Sequence, residues 1–375
     1  MHFFALAESS VTNSLGRAIS LSLVAAELGT VELWALDDGP TWTGARHFDL
    51  PIHRFTVRRI NELVAAISAR AHTEEVVVWI SKGLSPLDRI GHAVHGMPGV
   101  TVIADFDDDD VSLMQEQMRK SVKTAVHLNV THRKSPTQVR RSQQRTSRIA
   151  DAYTFSSATL REAYVRRGLQ AHSSAIIPHA RPTSWLGAER SARRPGPMRL
   201  AYLGTVRPHK GADQILKLVE AMPDIEFSCF SESFLPATGG ATWHSVGPDA
   251  ALPDVYADID FTLVPQNPNS SAARHQLPSK IVEAAAFAVA VVATPTPVIE
   301  EYCAGGYVAI DDWNDTAAVA ARIRAADPVA LGSAIRSVFV DRFATRMSAD
   351  AMLDLLERAG MGRHRAGGPD TAERG

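Results

Sequence analysis

The feature that most limits the fold of this chain is a rhythm of short apolar runs that alternate with amphipathic helical patterns. The intervening segments, such as residues 15–28, repeat apolar residues at spacings of three and four, which is the helical period. The alternation predicts strand–helix–strand units, and therefore a parallel sheet covered by helices, the α/β class. In the first half of the chain the runs lie at residues 2–7, 31–36, 76–81, 100–105, 152–157 and 174–178.

Residues 181–197 interrupt this rhythm because they are rich in Pro, Gly, Arg and Ser, the composition of a linker. The rhythm then resumes, so we predict two parallel-sheet domains, residues 1–180 and 198–345, that face each other across a cleft. A helix over 346–360 follows, and the pattern leaves open whether it returns to the first domain. We expect the polar tail 361–375 to be disordered. The apolar runs of the second half lie at 198–204, 225–230, 241–247, 259–265, 288–294 and 306–310.

Composition excludes several classes of protein. The formal net charge of -2 gives no general attraction to a phosphate backbone, so we expect no nucleic-acid partner. The 2 cysteines, Cys229 and Cys303, are far apart, which indicates neither a disulfide framework nor a cysteine-based zinc site. The first residues lack the pattern of a secretory signal, and no apolar run approaches the roughly 20 residues of a membrane span. We therefore expect a cytoplasmic protein.

The loop after the run at 198–204 reads GTVRPHKG and carries two cations. In open parallel sheets the ligand lies at the carboxyl ends of the strands. Gly204 ends the strand, and Arg207 and Lys210 precede a helix whose N terminus offers unpaired backbone N–H groups. Cations and amide donors together predict a binding site for a diphosphate. The alternative is that both side chains are solvated loop charges.

The stretch HQLPSKIVEAAAFAVAVVAT, residues 275–294, is the second candidate. Pro278 suits the first position of a helix, so Ser279 and Lys280 lie in the first turn, where backbone donors are free. A lysine opposes the helix dipole there, which indicates an anion in front of it. Glu283 follows one turn later, where its carboxylate can accept two hydrogen bonds from a sugar diol such as ribose. A surface lysine and an exposed helix glutamate are the alternatives.

The sequence LGTVRPHKGADQIL, followed by LPSKIVEAAAFAVAVVAT, resembles the nucleotide-binding domain of GT-B glycosyltransferases, most closely the retaining type of family 4. The segment that ends in IIPHARP resembles the join between the two domains in that family. The similarity is strongest from 149 to 313 and weak before residue 100. It implies two Rossmann-like domains, with transfer of a sugar from a nucleoside diphosphate sugar to an acceptor hydroxyl and retention at the anomeric carbon. It implies no metal and no cofactor besides the donor.

Residue by residue, the resemblance implies that Lys210 holds the diphosphate and Glu283 binds the ribose. The amides around Pro278 and Ser279 would face the phosphates or the donor sugar. Arg207 would join Lys210 in stabilising the charge that builds on the departing diphosphate.

Two positions depart from the family pattern. His275 stands where the family often has a glutamate, eight residues before Glu283, and Thr205 stands where an arginine usually follows Gly204. Some branches use Pro-x-Lys-x-x-Glu, the pattern of this chain, without the first glutamate. His275 is therefore a candidate for contact with the donor sugar, and an ordinary loop histidine is the alternative.

The first domain supplies weaker candidates. Gly16, near the start of a helix, permits close backbone approach, and the resemblance implies that it lies against the diphosphate from across the cleft. The acids that follow the run at 100–105 are expected on the acceptor side, where Asp105 or Asp107 would contact a hydroxyl group. The alternative is that these acids favour the N terminus of the next helix.

Residues 117–148 contain many Lys and Arg residues and no acid. A segment of one charge sign can bind anionic lipid or a phosphorylated acceptor. We therefore consider peripheral contact with the inner membrane surface, and neutralisation by nearby acids and solvent is the alternative.

Three other functions share parts of this pattern. A non-catalytic relative would bind a nucleotide sugar without transferring it. A sugar-nucleotide epimerase of the same fold would release sugar without an acceptor. A nicotinamide-dependent dehydrogenase needs a Gly-x-Gly-x-x-Gly turn after a strand, which the sequence lacks.

Overall fold

The computed structural model describes residues 1–12, 14–120, 135–171, 173–187, 192, 194–204, 211–230, 240–247 and 250–361. Within these residues the chain forms two domains, and each is a parallel sheet covered by helices. The predicted α/β architecture is confirmed.

In the described part of the chain, the first domain holds a sheet of seven parallel strands. These are β1 (His2–Ala7), β2 (Thr30–Leu36), β3 (Ile52–Phe55), β4 (Val76–Ser81), β5 (Val100–Phe106), β6 (Ala152–Phe155) and β7 (Ser174–Ile176). Their order is β3-β2-β1-β4-β5-β6-β7, so the direction of winding reverses between β1 and β4. The loops after those two strands therefore open a crevice at the carboxyl edge of the sheet.

Strand β3 is absent from the sequence prediction. It has four residues, lies at the edge of the sheet and pairs with β2. Phe55 is buried, whereas His53 and Arg54 are exposed. Four residues, two of them exposed and polar or charged, carry too little apolar pattern to indicate a strand. The extended conformation instead depends on pairing with β2.

Helices cover both faces of this sheet. Phe3 of β1 packs in one cluster with Leu21 of the first helix, and the next residue, Phe4, packs on the opposite face with Leu63 of the second helix. Burial on both faces explains the continuous apolar run of β1. The helices are α1 (Ser14–Ala26), α2 (Ile60–Ala71), α3 (Leu87–Val94), α4 (Asp110–Lys120), α5 (Pro136–Ile149) and α6 (Ala158–Arg166).

The described part of the second domain has the same architecture, with six parallel strands. These are β8 (Met198–Tyr202), β9 (Ile225–Phe230), β10 (Thr242–Val246), β11 (Phe261–Val264), β12 (Ala290–Ala293) and β13 (Val308–Ala309). Their order in the sheet is β10-β9-β8-β11-β12-β13. The winding reverses between β8 and β11, so the loops after these strands share one edge. Its helices are α7 (Ala212–Glu220), α8 (Leu252–Ala257), α9 (Ser279–Ala286), α10 (Pro297–Cys303), α11 (Thr316–Ala325) and α12 (Pro328–Val338).

Two crossings of the chain join the domains and lie side by side. The amide of Arg181 donates to the carbonyl of Phe343 at 2.9 Å, and the amide of Thr345 donates to the carbonyl of Arg181 at 3.0 Å. The second crossing leads into α13 (Thr345–Arg358), where Met352 packs in the core of the first domain. The last helix thus returns to the first domain.

The segment predicted as a linker packs on the second domain over its first residues. Thr183–Trp185 forms a 3-10 turn, and the amide of Gly187 donates to the carbonyl of Ala286 at 2.9 Å. The ring of Trp185 stacks on Phe287 with 6.0 Å between centroids. Among the helices described here, none combines the length and the apolar character that a membrane crossing requires.

Candidate functional site

The carboxyl edges of the two sheets face each other across a cavity of about 320 Å³. The first domain contributes the start of α1, the loop at 42–48 and the ends of β4 and β5, and the second contributes the start of α9. Seven of the residues that the sequence singled out line the cavity, namely Gly16, Asp107, Gly204, Pro278, Ser279, Lys280 and Glu283. Two further predicted residues, Arg207 and Lys210, lie outside the described residues.

Polar contacts across the cleft hold the domains together. The side-chain amide of Gln276 donates to Asp108 at 2.9 Å, and the hydroxyl of Ser270 donates to Glu116 of α4 at 2.7 Å. Glu301 of α10 accepts two backbone N–H bonds at the start of α6, at 2.7 and 2.9 Å. A carboxylate is favoured at a helix N terminus, so this third contact also gains from the helix dipole.

The start of α9 has the form that an anion site needs. Pro278 is the N-cap and the helix begins at Ser279, one residue later than the sequence indicated. No side chain caps this end among the described residues, so the first-turn amides are not occupied by a capping group. Leu277 is buried and fixes the entry of the chain into the helix.

Lys280 adds a cation to this helix start. Its Nζ lies 3.7 Å from the centroid of the Tyr202 ring, at the end of β8. A Cβ at Gly204 would come within 3.0 Å of that Nζ, so the glycine makes room for the lysine. The two loops that the sequence singled out separately therefore meet at this point of the cavity.

Glu283 is already engaged by a residue that the sequence did not indicate. Nη2 of Arg181 donates to its Oε1 at 2.6 Å, and the hydroxyl of Tyr256 lies 3.4 Å from its Oε2. Burial raises the pKa of Tyr256 well above its ordinary value, so the phenol keeps its proton and donates. The carboxylate is thus held in one orientation at the cavity wall.

Gly16 lines the cavity beside an indole ring, and its predicted approach to phosphate stays a prediction. A Cβ at this position would lie 3.2 Å from Cζ3 of Trp42, a residue that also lines the cavity. Gly16 is the third residue of α1, and its lack of a side chain leaves room for the indole ring, which forms part of the wall.

Asp105 is buried away from the cavity, although the sequence placed it among the catalytic candidates. Both it and Arg17 are 0% exposed, and Nε and Nη2 of Arg17 bind its two carboxylate oxygens at 2.9 and 2.6 Å. The hydroxyl of Thr154 donates a further bond at 2.7 Å. With its oxygens occupied inside the first domain, Asp105 is not positioned to contact an acceptor, and its role is structural.

Asp107, the alternative to Asp105, does line the cavity, beside a lysine that the sequence analysis overlooked. Nζ of Lys82 lies 2.8 Å from Asp107, 2.8 Å from Asp108 and 3.3 Å from Asp110. Burial opposes the charge of Lys82, but the three carboxylates outweigh it and raise its pKa well above the ordinary value. Burial also raises the pKa of Asp107 to about 6, against the attraction of Lys82.

His275 lies near the cavity without lining it. Its Nδ1 is 2.9 Å from the carbonyl oxygen of Ser271 and 3.7 Å from Asp109 in the first domain. Burial lowers its pKa, which favours the neutral ring. Its described contacts are thus with its own loop and with the first domain, and the predicted contact with a donor sugar stays a prediction.

The acids after β5 are matched by cations of the same domain. Lys82 neutralises one side of the run, and Arg167 forms a fork with Asp109 through two hydrogen bonds. Within the described ranges, no group of three or more His, Cys, Asp or Glu residues is arranged to hold a metal ion.

Comparison with known proteins identifies the fold. No family model matches the chain, and no curated protein sequence matches it. The Anabaena protein HepE in complex with UDP-glucose superposes with a TM-score of 0.68 at 14% identity, covering 96% of this chain and 100% of that one. Sucrose-phosphate synthase from Thermosynechococcus elongatus gives 0.62 at 15% identity, covering 95% and 98%. A glycosyltransferase from Rickettsia africae gives 0.64 at 10% identity, covering 96% and 99%.

These neighbours are glycosyltransferases of GT-B type, and the likeness extends over both domains. At such identities the comparison establishes the fold. The chain therefore has the GT-B architecture, two parallel-sheet domains facing across a cleft, as the sequence predicted.

Proposed function

We propose that this chain is a glycosyltransferase that moves a sugar from a nucleoside diphosphate sugar to an acceptor hydroxyl. The observation that carries the proposal is the arrangement at α9, where an uncapped helix start, Lys280 and the fixed carboxylate of Glu283 line one interdomain cavity. Amides and a cation suit a diphosphate, and a carboxylate suits a ribose. The GT-B neighbour HepE in complex with UDP-glucose gives the proposal independent support.

The chemical step places its largest demand on the departing diphosphate. The bond between the anomeric carbon and the phosphate oxygen breaks, and its electron pair leaves with the diphosphate. Lys280 and the first-turn amides of α9 stabilise that charge, and Arg207 and Lys210 are proposed to join them. We propose retention, in which the acceptor oxygen bonds to the same face of the sugar and its proton passes to the departing phosphate oxygen. We propose that contact between the domains limits the access of water during this step.

Lys82, Asp107 and His179 line the cavity on the side of the first domain. We propose that they form the acceptor side. Burial, with Arg17 and Arg181 nearby, lowers the pKa of His179 well below its ordinary value, so the ring is neutral. We infer that ionised Asp107 accepts a hydrogen bond from the acceptor hydroxyl and orients it.

Addition of the cognate nucleotide sugar is expected to raise the melting temperature of the protein. A ligand at 100 times its dissociation constant stabilises the folded state by about 2.7 kcal/mol. The measurement is a thermal-shift screen of UDP, GDP, ADP and TDP sugars, with NADH as the control from another enzyme class. Stabilisation by NADH alone, or by none of the nucleotides, would contradict the proposal. Binding and donor hydrolysis with no transfer to any of a panel of acceptors would instead favour a non-catalytic relative.

We also propose that the basic face of α5 contacts an anionic membrane surface. Residues 121–134 of the basic segment lie outside the described residues, but α5 is described and exposes Arg140, Arg141 and Arg148. Among the described residues, no carboxylate forms an ion pair with these three arginines. Each cation near an anionic leaflet contributes about 1 kcal/mol.

Reversal of these three charges to glutamate is expected to reduce sedimentation with vesicles by about tenfold or more. The vesicles contain phosphatidylcholine with phosphatidylglycerol, and vesicles of phosphatidylcholine alone are the control for charge. Arg145→Glu is a poor comparison because Arg145 pairs with Asp88. The matched control reverses three other exposed arginines for which the structure describes no ion pair, namely Arg58, Arg342 and Arg346. Equal sedimentation of wild type and triple variant would rule out this face.

A further inference from the structure

The ion pair of Arg181 and Glu283 joins a domain crossing to the cavity wall. Arg181 is 3% exposed, and its Nη2 reaches Oε1 of Glu283, 102 positions later in the chain, at 2.6 Å. We propose that Arg181 is a positioning residue that fixes Glu283 for recognition of the nucleotide's ribose. The inference rests on the proposed function, and it adds a residue that neither the sequence motif nor the fold comparison assigns.

The guanidinium of Arg181 is held from several directions. Its centre lies 5.0 Å from the ring centroid of Phe48 and 5.8 Å from that of Trp185, and its Nη1 donates to the carbonyl of Ala180 at 2.9 Å. Its backbone is fixed by the bridge to the second crossing. A guanidinium held in this way defines one position for its carboxylate partner.

Aromatic rings from both domains surround the ion pair. Phe48 of the first domain stacks on Trp185 of the crossing at 5.3 Å with 8° between the ring planes. Trp185 stacks on Phe287, and Phe287 stacks on Tyr256 at 5.3 Å. This row of four rings places apolar surface beside the ion pair, and a charge pair is stronger in less polar surroundings.

Glu283 keeps acceptor capacity after both contacts are made. A carboxylate offers about four lone-pair sites over its two oxygens. Arg181 occupies one site on Oε1, and Tyr256 approaches Oε2 at 3.4 Å. One site on each oxygen remains, which matches the two hydroxyls of a ribose. Without the guanidinium, the side chain, which is 12% exposed, would lose its fixed orientation.

If Arg181 only stabilises the crossing, a different result is expected. Replacing Arg181 would then lower the melting temperature without changing how the site distinguishes ribose from deoxyribose. The informative quantity is therefore the ratio of the dissociation constants of 2′-deoxyuridine diphosphate and UDP, measured by calorimetry on the full chain.

Wild type is expected to bind UDP about tenfold or more tightly than the deoxy analogue, because a buried acceptor loses a partner when the 2′-hydroxyl is missing. Arg181→Met is expected to weaken UDP binding and to bring the ratio to within about twofold of unity. Arg336→Ala is the matched control. Arg336 donates to the carbonyl of Gly187 at 3.1 Å, on the same linker as Arg181 but outside the cavity. Its loss should leave the ratio at the wild-type value. Arg181→Lys retains the charge without the planar guanidinium, so an intermediate ratio is expected. This variant tests the inference if Arg181→Met does not fold.

Glu283→Gln separates direct from indirect effects. If Arg181 acts through Glu283, adding Arg181→Met to that variant leaves its ratio unchanged, and a further change would overturn the inference. A wild-type ratio near one, or a wild-type ratio in both Arg181 variants, would also overturn it while leaving the proposed function intact. A wild type that binds no nucleoside diphosphate would overturn both.

Discussion

Replacement of Lys280 by methionine is expected to weaken the binding of UDP by about 10- to 100-fold, the loss that accompanies removal of charge-assisted hydrogen bonds. Lys280 lies in the first turn of α9, at the cavity wall, with Nζ 3.7 Å from the centroid of the Tyr202 ring. Uridine has no phosphate, so its affinity should change little. Calorimetric titration of both ligands at one fixed salt concentration measures the difference, because screening alters the electrostatic part.

Lys217→Met is the matched control for this experiment. Lys217 is exposed on α7 of the same domain and does not line the cavity. Its loss removes the same charge from an exposed position outside the lining, where solvent screens it, so UDP affinity should stay within about twofold of wild type. If Lys280→Met weakens UDP and uridine equally, or weakens neither, the diphosphate does not bind at Lys280.

Replacement of Asp105 by asparagine is expected to destabilise the first domain by about 3–5 kcal/mol, because it leaves Arg17 charged and unpaired in the interior. Both partners are 0% exposed, so water cannot compensate for the lost carboxylate. Urea denaturation, followed by a signal from the first domain, measures the free energy of unfolding. The variant should lose activity only in proportion to the fraction that unfolds.

Asp37→Asn provides the comparison for this second experiment. Asp37 pairs with Arg54 at 2.9 Å, and the two side chains are 41% and 36% exposed. An exposed pair contributes about 0–1 kcal/mol, so this variant should remain close to wild type in stability. An Asp105→Asn protein with wild-type stability and no transferase activity would restore the catalytic role that the sequence suggested for Asp105.

Much of the architecture could be predicted because it depends on local pattern. Central strands such as β1 and β4 are buried on both faces, so their sequences are continuous apolar runs that stand out without any knowledge of neighbours. Strand β3 could not be predicted in this way, since its conformation depends on pairing with β2. The sequence therefore predicts a strand where burial determines its conformation, and it does not where pairing with a neighbour does.

The site could be predicted where each residue belongs to a local motif. Lys280 and Glu283 follow from a single helix start, and the structure places both at the cavity wall. The bond of Arg181 to Glu283 spans 102 positions and depends on how the crossings pack, which no local pattern contains. Lys82 follows a strand directly, and that position at the carboxyl end of β4 is the signal that could have identified it.

Asp105 illustrates the opposite error. An acid near the end of a buried strand has the same sequence pattern whether it faces a cavity or an internal arginine. Arg17 lies 88 positions earlier, on α1, and its approach to Asp105 is decided by the packing of that helix on the sheet. A carboxylate that faces a cavity can therefore be told from one that pairs with a buried cation only in the three-dimensional structure.

The most direct test of the central claim is the crystal structure of the full chain with UDP. The account predicts that the diphosphate lies against the amides of Ser279 and Lys280 at the start of α9, with the ribose hydroxyls on Glu283. A nucleotide bound outside the interdomain cavity, or one whose ribose lies away from Glu283, would contradict it.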